Sequence, residues 1–495
     1  MMQHLPVLQV IVPLLAAPLA LLLRPSRLAW LFALIASGAG LFISLSLLAQ
    51  VLEQGTLIYA LGGWAAPIGI EYRIDRLNAF VLLLVSLIGF VVLLAADTSI
   101  RREIDEDKQP YFYSLYLLCM AGLLGIVATG DAFNVFVFLE ISALSTYTLI
   151  AMGRDRRALW ASYQYLIMGT IGATFILIGI GLLYMMTGTL NMHDLALRLP
   201  AVQNSATVLT ATAFFVVGVC LKLALFPMHL WLPNAYAYAP SIVTALLAAT
   251  ATKVAIYVLI RFVFTIFGLD FAFDSLPVHE MLLVLGVVGI LVASVLAIAQ
   301  SNVKRLFAYS SVAQIGYMVL GIGLANTTGL TASLLHLFNH ALMKGALFLA
   351  LAGVFYRLST VELKSFQGLG RQMPLTLAAI VIGGLSLVGV PLTVGFVSKW
   401  YLVLAILERG WWPLAFLVML GSLLALVYLW RIVEMAYFSP APADGGNPPV
   451  KEAPLMILLP TWLLVIANVY FGLDTDLTVS LASLASIELF TPVVP

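Results

Sequence analysis

Apolar residues run along this chain in long blocks, separated by short polar clusters. The hydrocarbon core of a bilayer takes about 20 apolar residues per helix. That length predicts spans near 6–23, 28–51, 77–96, 111–130, 132–151, 160–187, 206–226, 241–266, 281–300, 303–325, 328–356, 374–407, 412–437 and 454–473. The pattern is that of an all-α polytopic membrane protein with about fourteen transmembrane helices. The first block passes into the second with no small-residue cleavage site, so it reads as a spanning helix and not as a signal peptide. Residues 55–73 interrupt the series. Two short β-prone runs flank Gly62-Gly63 there and predict a hairpin outside the bilayer. The tail 474–495 is expected to add a short apolar segment.

Two predicted spans contain helix breakers. The 206–239 region holds Pro227 and Pro233, and 374–407 holds Gly383, Gly384, Gly389, Pro391 and Gly395. Proline frees a backbone carbonyl, which in lipid needs another partner. Broken helices in both halves of a transporter point to its ion pathway. Each of these carries a lysine, Lys222 before Pro227 and Lys399 after Pro391.

Composition narrows the class. Of 495 residues 62% are hydrophobic and 9% charged, with mean hydropathy +1.07. Such a chain is neither a water-soluble domain nor disordered. A net charge of +1 argues against a nucleic-acid partner. Cys119 and Cys220 lie in apolar runs away from any Cys/His cluster and read as small core residues. No phosphate-cradling fingerprint stands in a fitting context. No nucleophile–base pair presents itself, so neither a cofactor nor a metal is expected.

Charge placement isolates the candidate chemistry. With the N-terminus outside, fifteen of the 24 basic residues, Lys304 and Arg305 among them, fall in inside loops. Five fall outside: Arg73, Arg76, Arg198, Arg261 and Arg409. The remainder are Lys222, Lys253, Lys344 and Lys399, all lysines within predicted spans. An arginine does not release its proton usefully, whereas a desolvated lysine can. The same subtraction on the acids leaves Glu140, roughly 12 Å into its helix at 1.5 Å per residue. Glu140 and Lys222 suit a buried ion pair, either static or switching. Lys253 is either a central relay or a residue snorkelling to an interface. His336, His340 and Lys344 recur every four residues, on one helical face. Histidine passes a proton through either ring nitrogen. The two histidines alone resemble part of a zinc site, but no third ligand stands nearby and Lys344 would repel a cation. Lys399, beside Trp400 and Tyr401, is either a station or an interface anchor. His229, between the two prolines, either caps freed carbonyls or lines an inside-facing entrance.

These stretches resemble a known family. Phe-Val-Phe-Leu-Glu140-Ile-Ser, Lys222-Leu-Ala-Leu-Phe-Pro-Met-His-Leu-Trp-Leu-Pro, Lys253, Lys304-Arg-Leu-Phe-Ala-Tyr-Ser-Ser-Val-Ala-Gln-Ile-Gly-Tyr and His336-Leu-Phe-Asn-His340-Ala-Leu-Met-Lys344 are similar to the antiporter-like subunits. These occur in Mrp-type cation/proton antiporters, respiratory complex I and membrane-bound hydrogenases. The lysine at 399 and the Glu140 context look most like the D-type subunits of the Mrp group. The resemblance implies fourteen helices with two inverted five-helix repeats, helices seven and twelve being broken. It also implies that Glu140–Lys222 is a switching pair, Lys253 a central relay, and the 336–344 face a bridge to Lys399.

The expected organisation is a single transmembrane domain over 1–495: N-terminal helices and hairpin (1–110), a first repeat (111–266), a second repeat (281–437), and a C-terminal helix and tail (438–495). The expected function is proton translocation within a multisubunit Na+/H+ antiporter of the plasma membrane, with other membrane subunits, the lipid bilayer, H+ and Na+ as partners. Rival readings are a proton-pumping subunit of a complex I-type dehydrogenase or a hydrogenase, a purely structural membrane subunit, and an independent solute carrier.

Overall fold

The computed structural model describes residues 2–440 and 450–491. The chain folds into α1 (Leu5–Leu21), α2 (Ser26–Gln54), strands β1 (Leu57–Ala60) and β2 (Glu71–Ile74), α3 (Arg76–Leu94), α4 (Ala96–Glu103), α5 (Gln109–Ala128), α6 (Ala132–Ala151), α7 (Arg156–Thr187) and α8 (Met192–Arg198). The middle of the chain forms α9 (Ala206–Lys222), α10 (Trp231–Tyr238), α11 (Ser241–Ala249), α12 (Ala251–Ile260), α13 (Val278–Ile298), α14 (Val303–Gly323) and α15 (Thr327–Leu358). The remainder is α16 (Leu369–Gln372), α17 (Pro374–Val388), α18 (Val394–Glu408), α19 (Trp412–Val433), α20 (Leu455–Leu473) and α21 (Asp476–Phe490). Among the described residues, eleven helices are long and apolar enough to cross a membrane. Three shorter apolar helices are α1 and the leading pieces of the two broken segments, α9 and α17. The fold is all-α and polytopic.

Local chemistry fixes the ends. Asp75 caps α3, accepting from Asn78 N at 3.0 Å while the Asn78 side chain accepts from Asp75 N. Asp131 caps α6 by accepting from Asn134 N at 2.7 Å. Close crossings rely on small residues. A side chain at Gly122 of α5 would stand 2.6 Å from the Ser142 backbone of α6, and one at Gly316 of α14 would stand 2.6 Å from the Gly286 carbonyl of α13.

Burial is inverted relative to a soluble protein. The peripheral helices present large apolar side chains outward, as with Ile35 and Phe42 on α2 and Phe416, Met419 and Leu423 on α19. The enclosed helices carry the polar residues. Every residue of α14 except Arg305 is buried, as is all of α15 from Gly329 to Val354. The two loop faces differ in content. The hairpin, α8 and the C-terminal end of α21 share one face, where Arg73, His193 and Glu488 line one pocket. The opposite, basic face gathers α4 with the 153–155 and 239–240 turns, where Arg154 donates to the Arg102 carbonyl at 3.1 Å.

Three sequence expectations need correction. Span 241–266 is not continuous: it is interrupted at Thr250 (φ −125°, ψ −57°), and its end, Arg261–Phe267, winds as π-helix. The hairpin pairs Leu57 with Ile74 through Ala60 with Glu71, two short strands as expected. Its connection is 61–70, with Gly62 and Gly63 opening a long loop instead of forming a tight turn. Finally, the first broken span ends at Lys222, and the chain resumes as α10 after a turn over 223–230. The end of the tail, 492–495, and the 441–449 segment lie outside the described residues.

Candidate functional site

Glu140 projects from the middle of α6 toward the C-terminal residue of α9, Lys222. Lys222 Nζ lies 3.7 Å from Glu140 Oε1. The lysine side chain is 6% exposed and the glutamate 27%, so one partner is sealed and the other reaches the chain's flank. Neither Lys222 Nζ nor Glu140 Oε1 has a hydrogen-bond partner among the described residues. Charge alone joins them. Lys222 stands where α9 stops: Trp231 donates to the Leu221 carbonyl at 3.0 Å, and the Trp231 ring stacks on Tyr165 at 3.9 Å.

Lys253 is fully buried three residues after the interruption at Thr250. The break explains its setting. A helix interruption strands carbonyls that need donors. Tyr236 Oη donates to the Leu247 carbonyl at 3.2 Å, and the Lys253 ammonium donates to the Ala248 carbonyl. The Thr252 hydroxyl lies 3.4 Å from the same amine. Thr250 bonds back to the Leu246 carbonyl at 2.7 Å, a habit of threonine that competes with the regular helix ladder. Lys253 does not snorkel.

On α15, His336, His340 and Lys344 do share a face. His336 Nδ1 meets Ser398 Oγ at 2.8 Å and its Nε2 meets Gln314 Oε1 at 2.9 Å. His340 is parallel to it, with ring centroids 6.1 Å apart, and neither of its ring nitrogens has a partner among the described residues. The Lys344 ammonium donates to the Phe307 carbonyl at 2.8 Å and to the Ser310 hydroxyl. Lys399 is 6% exposed, while its neighbour Trp400 is 52% exposed, so the tryptophan faces outward and the lysine inward. Its amine donates to the Leu387 and Val388 carbonyls at 2.8 and 3.0 Å and to Ser422 Oγ at 2.9 Å. Those carbonyls end α17, the negative pole of that helix. The amine also sits 4.7 Å over the Tyr317 ring, which is 5.7 Å from His336.

The structure thus forms two groups. Glu140 and Lys222 make one. The α15 face and Lys399 make the other, joined through Ser398 and Tyr317. Lys253 is hydrogen-bonded to neither, although its leading helix, α11, packs on α15. Of the four lysines only Lys222 faces a carboxylate; the others are held by carbonyls and hydroxyls.

Two residues assigned to loops from the sequence are interior. Lys304 is 3% exposed and donates to the Ala239 carbonyl at 3.3 Å. Arg261 is 7% exposed and pairs with Asp75 at 2.8 Å, also donating to Asn78 Oδ1 at 2.8 Å. Tyr257 Oη joins that network through Asn78 at 2.9 Å. The quartet closes the floor of a pocket of about 280 Å3 on the hairpin face. His229 is buried against Phe226 and Tyr309, with both ring nitrogens unpartnered.

The sequence profile of the family described as NADH:quinone oxidoreductase/Mrp antiporter, transmembrane region, matches residues 129–425. The N subunit of an NADH-quinone oxidoreductase from Desulforudis audaxviator is 42% identical, over 97% of this chain and 98% of its own length. The D subunit of the Na(+)/H(+) antiporter of Alkalihalophilus pseudofirmus is 31% identical, over 88% of this chain and 87% of its own. Among solved structures, a chain of the Mrp complex from Dietzia sp. superposes with a TM-score of 0.90 at 27% identity, covering 99% of this chain and 98% of that one.

Proposed function

The chain belongs to the NADH:quinone oxidoreductase/Mrp antiporter transmembrane family, and on that premise we propose that it is the proton-translocating membrane subunit of a multisubunit Na+/H+ antiporter. The carrying observation is the enclosed set Lys222, Lys253, His336, His340, Lys344 and Lys399, each under 9% exposed, with Glu140 facing the first of them. Ionisable groups at membrane depth are functional by default, because burying them costs several kcal/mol.

With Glu140 at 3.7 Å the Lys222 ammonium is held. When Glu140 turns away the ammonium loses its one counter-charge, and its proton moves toward Lys253. Thr250, Thr252 and intervening water bridge that gap. The proton then crosses the α15 face to Lys399. Each lysine beyond Lys222 is held by dipoles alone, so none is locked in the charged form by a carboxylate. Residues 111–266 and 281–437 act as inverted repeats on this reading. The glycine crossings at the start of each, Gly122 on Ser142 and Gly286 on Gly316, support this, as does a broken helix beside a lysine in both. The basic face is inside and the hairpin face outside a plasma membrane, with the N-terminus outside. The flank opening at Glu140 fits a neighbouring membrane protein of the complex that would move this carboxylate.

A second reading rests on the 42% identity to the N subunit of an NADH-quinone oxidoreductase. There the same relay is driven by redox energy from partner subunits. The proteins that co-purify distinguish the two. The relay itself is tested by Lys253→Ala in vesicles of the intact complex. An assembled complex with diminished proton transport supports it. Undiminished transport refutes it, and lost assembly with transport unaffected per assembled complex favours a scaffold.

A further inference from the structure

The relay leaves Lys304 without a role. Its amine lies at a pocket of about 220 Å3 on the basic face, bordered by Glu103, Arg154, Tyr238, Pro240 and Phe355. Glu103 is engaged elsewhere: its carboxylate accepts from Ser241 N at 2.9 Å, from Ser241 Oγ at 3.2 Å and from Ser99. Among the described residues Lys304 hydrogen-bonds to the Ala239 carbonyl alone and has the Phe355 ring 5.2 Å beneath its ammonium, while the Glu103 charge lies near it but is committed to Ser99 and Ser241.

Polar groups follow Lys304 along α14. Three and six residues on, the Phe307 carbonyl and Ser310 hydroxyl hold Lys344. Four residues beyond Ser310, Gln314 meets His336. Phe307, three residues along α14 from Lys304, and Phe348 have ring centroids 6.4 Å apart, and the Lys344 ammonium lies 5.4 and 5.9 Å over them. An apolar constriction of this kind gates by wetting and drying.

We propose that this pocket is a second proton port on the basic face, in which Lys304 loads from pocket water and delivers through the Phe307–Phe348 partition to Lys344. The proposal rests on the relay reading of Lys344. A proton leaves the Lys304 ammonium through transient water in the partition and binds the neutral Lys344 amine. The neutral Lys304 is then reloaded from the pocket. The α15 face is thereby fed without Glu140, Lys222 or Lys253. The competing role is a clamp, in which the Lys304 charge merely ties down the α10–α11 joint at Ala239.

Arginine separates the two roles, because it keeps a cation and donors for the Ala239 carbonyl but does not release its proton. In vesicles of the intact complex, Lys304→Arg and Lys222→Ala are each expected to lose part of proton transport, and the double variant all of it. Parent-rate transport in Lys304→Arg, with loss in Lys222→Ala, overturns the port and leaves the relay standing. Parent rates in both overturn the relay as well. Should Lys304→Arg not assemble, Phe348→Ala decides: thinning the partition is expected to raise passive proton leak, and an unchanged leak overturns the port.

Discussion

Replacing Glu140 by glutamine tests the electrostatic premise directly. The change keeps the shape of the side chain and removes its charge. Two unit charges 3.7 Å apart attract by about 4 kcal/mol at an effective dielectric near 20, and by about 1 kcal/mol in bulk water. With the lysine sealed and the glutamate partly open, the true value lies between these limits, toward the upper one. The proton on Lys222 is thus held less tightly by a factor of about five at the very least and about a thousand at most. The first transfer then lacks its trigger, since there is no carboxylate left to approach and retreat. The assay is acidification of vesicles carrying the intact complex, read by a pH-sensitive dye and normalised to assembled complex. Glu140→Gln is expected to assemble and to lose the part of transport that enters through Lys222. The exchanged pair, Glu140→Lys with Lys222→Glu, restores attraction but puts the amine on the wrong helix; it should assemble without regaining that part. Parent-rate transport in the glutamine variant refutes the reasoning. Recovery of transport in the exchanged pair would reduce Glu140–Lys222 to a static brace.

Three further outcomes are expected. Gly389 ends α17 with φ +92°, and a Cβ there would lie 2.9 Å from Lys399 Cδ; Gly389→Ala should cost about 1–2 kcal/mol in backbone strain and shift Lys399 off the α17 carbonyls, seen as a lower melting temperature together with slower proton transport. Asp75→Asn leaves Arg261 buried without its charge partner and should destabilise the protein by about 3 kcal/mol or more, whereas the double variant with Arg261→Gln should recover much of that in thermal unfolding. Trp64 is 68% exposed on the hairpin; Trp64→Cys should react with a membrane-impermeant maleimide in whole cells while buried Cys119 and Cys220 do not, and reaction only after permeabilisation would reverse the assigned orientation.

The spans were legible because a bilayer demands uninterrupted apolar length, and the interior lysines because an ammonium inside such a run stands out. The breaks beside Lys222 and Lys399 announced themselves through proline and glycine. The interruption at Thr250 did not. Ala-Ala-Thr-Ala-Thr is compatible with a helix, and only the donors that Tyr236 and Lys253 bring to the Leu247 and Ala248 carbonyls make the break tolerable. Lys304 and Arg261 were misplaced for a related reason. Each lies near the end of an apolar run, where a loop residue is expected, yet the α10–α11 joint folds over one and Asp75, 186 residues away, pairs with the other. The polar spacing of Lys304, Ser310 and Gln314 along α14 was a signal available in the sequence for the first of these. For Arg261 there was none short of the contact itself.

The distribution of partners bears on how one proton can displace another. A carboxylate beside every lysine would fix a charge at each station and make every transfer break an ion pair. Here only the first amine has such a partner. Beyond it the acceptors are neutral dipoles, so the α15 face has no built-in negative charge to balance two protons at once. His336 and His340 stand 6.1 Å apart, and two positive charges at that distance repel by about 3 kcal/mol at an effective dielectric near 20. Double occupancy is therefore disfavoured by roughly a hundredfold, and on the proposed relay a proton arriving from the Lys253 side would raise the free energy of one already further along. Repulsion of this size acts equally both ways, so on the proposed relay the direction is set at the Glu140 end. On the same proposal it ties the far end to the near one: Lys399 is held by the carbonyls of α17, the hydroxyl of Ser422 and the Tyr317 ring, none of them a carboxylate, and would lose its proton more readily whenever the stations behind it are filled.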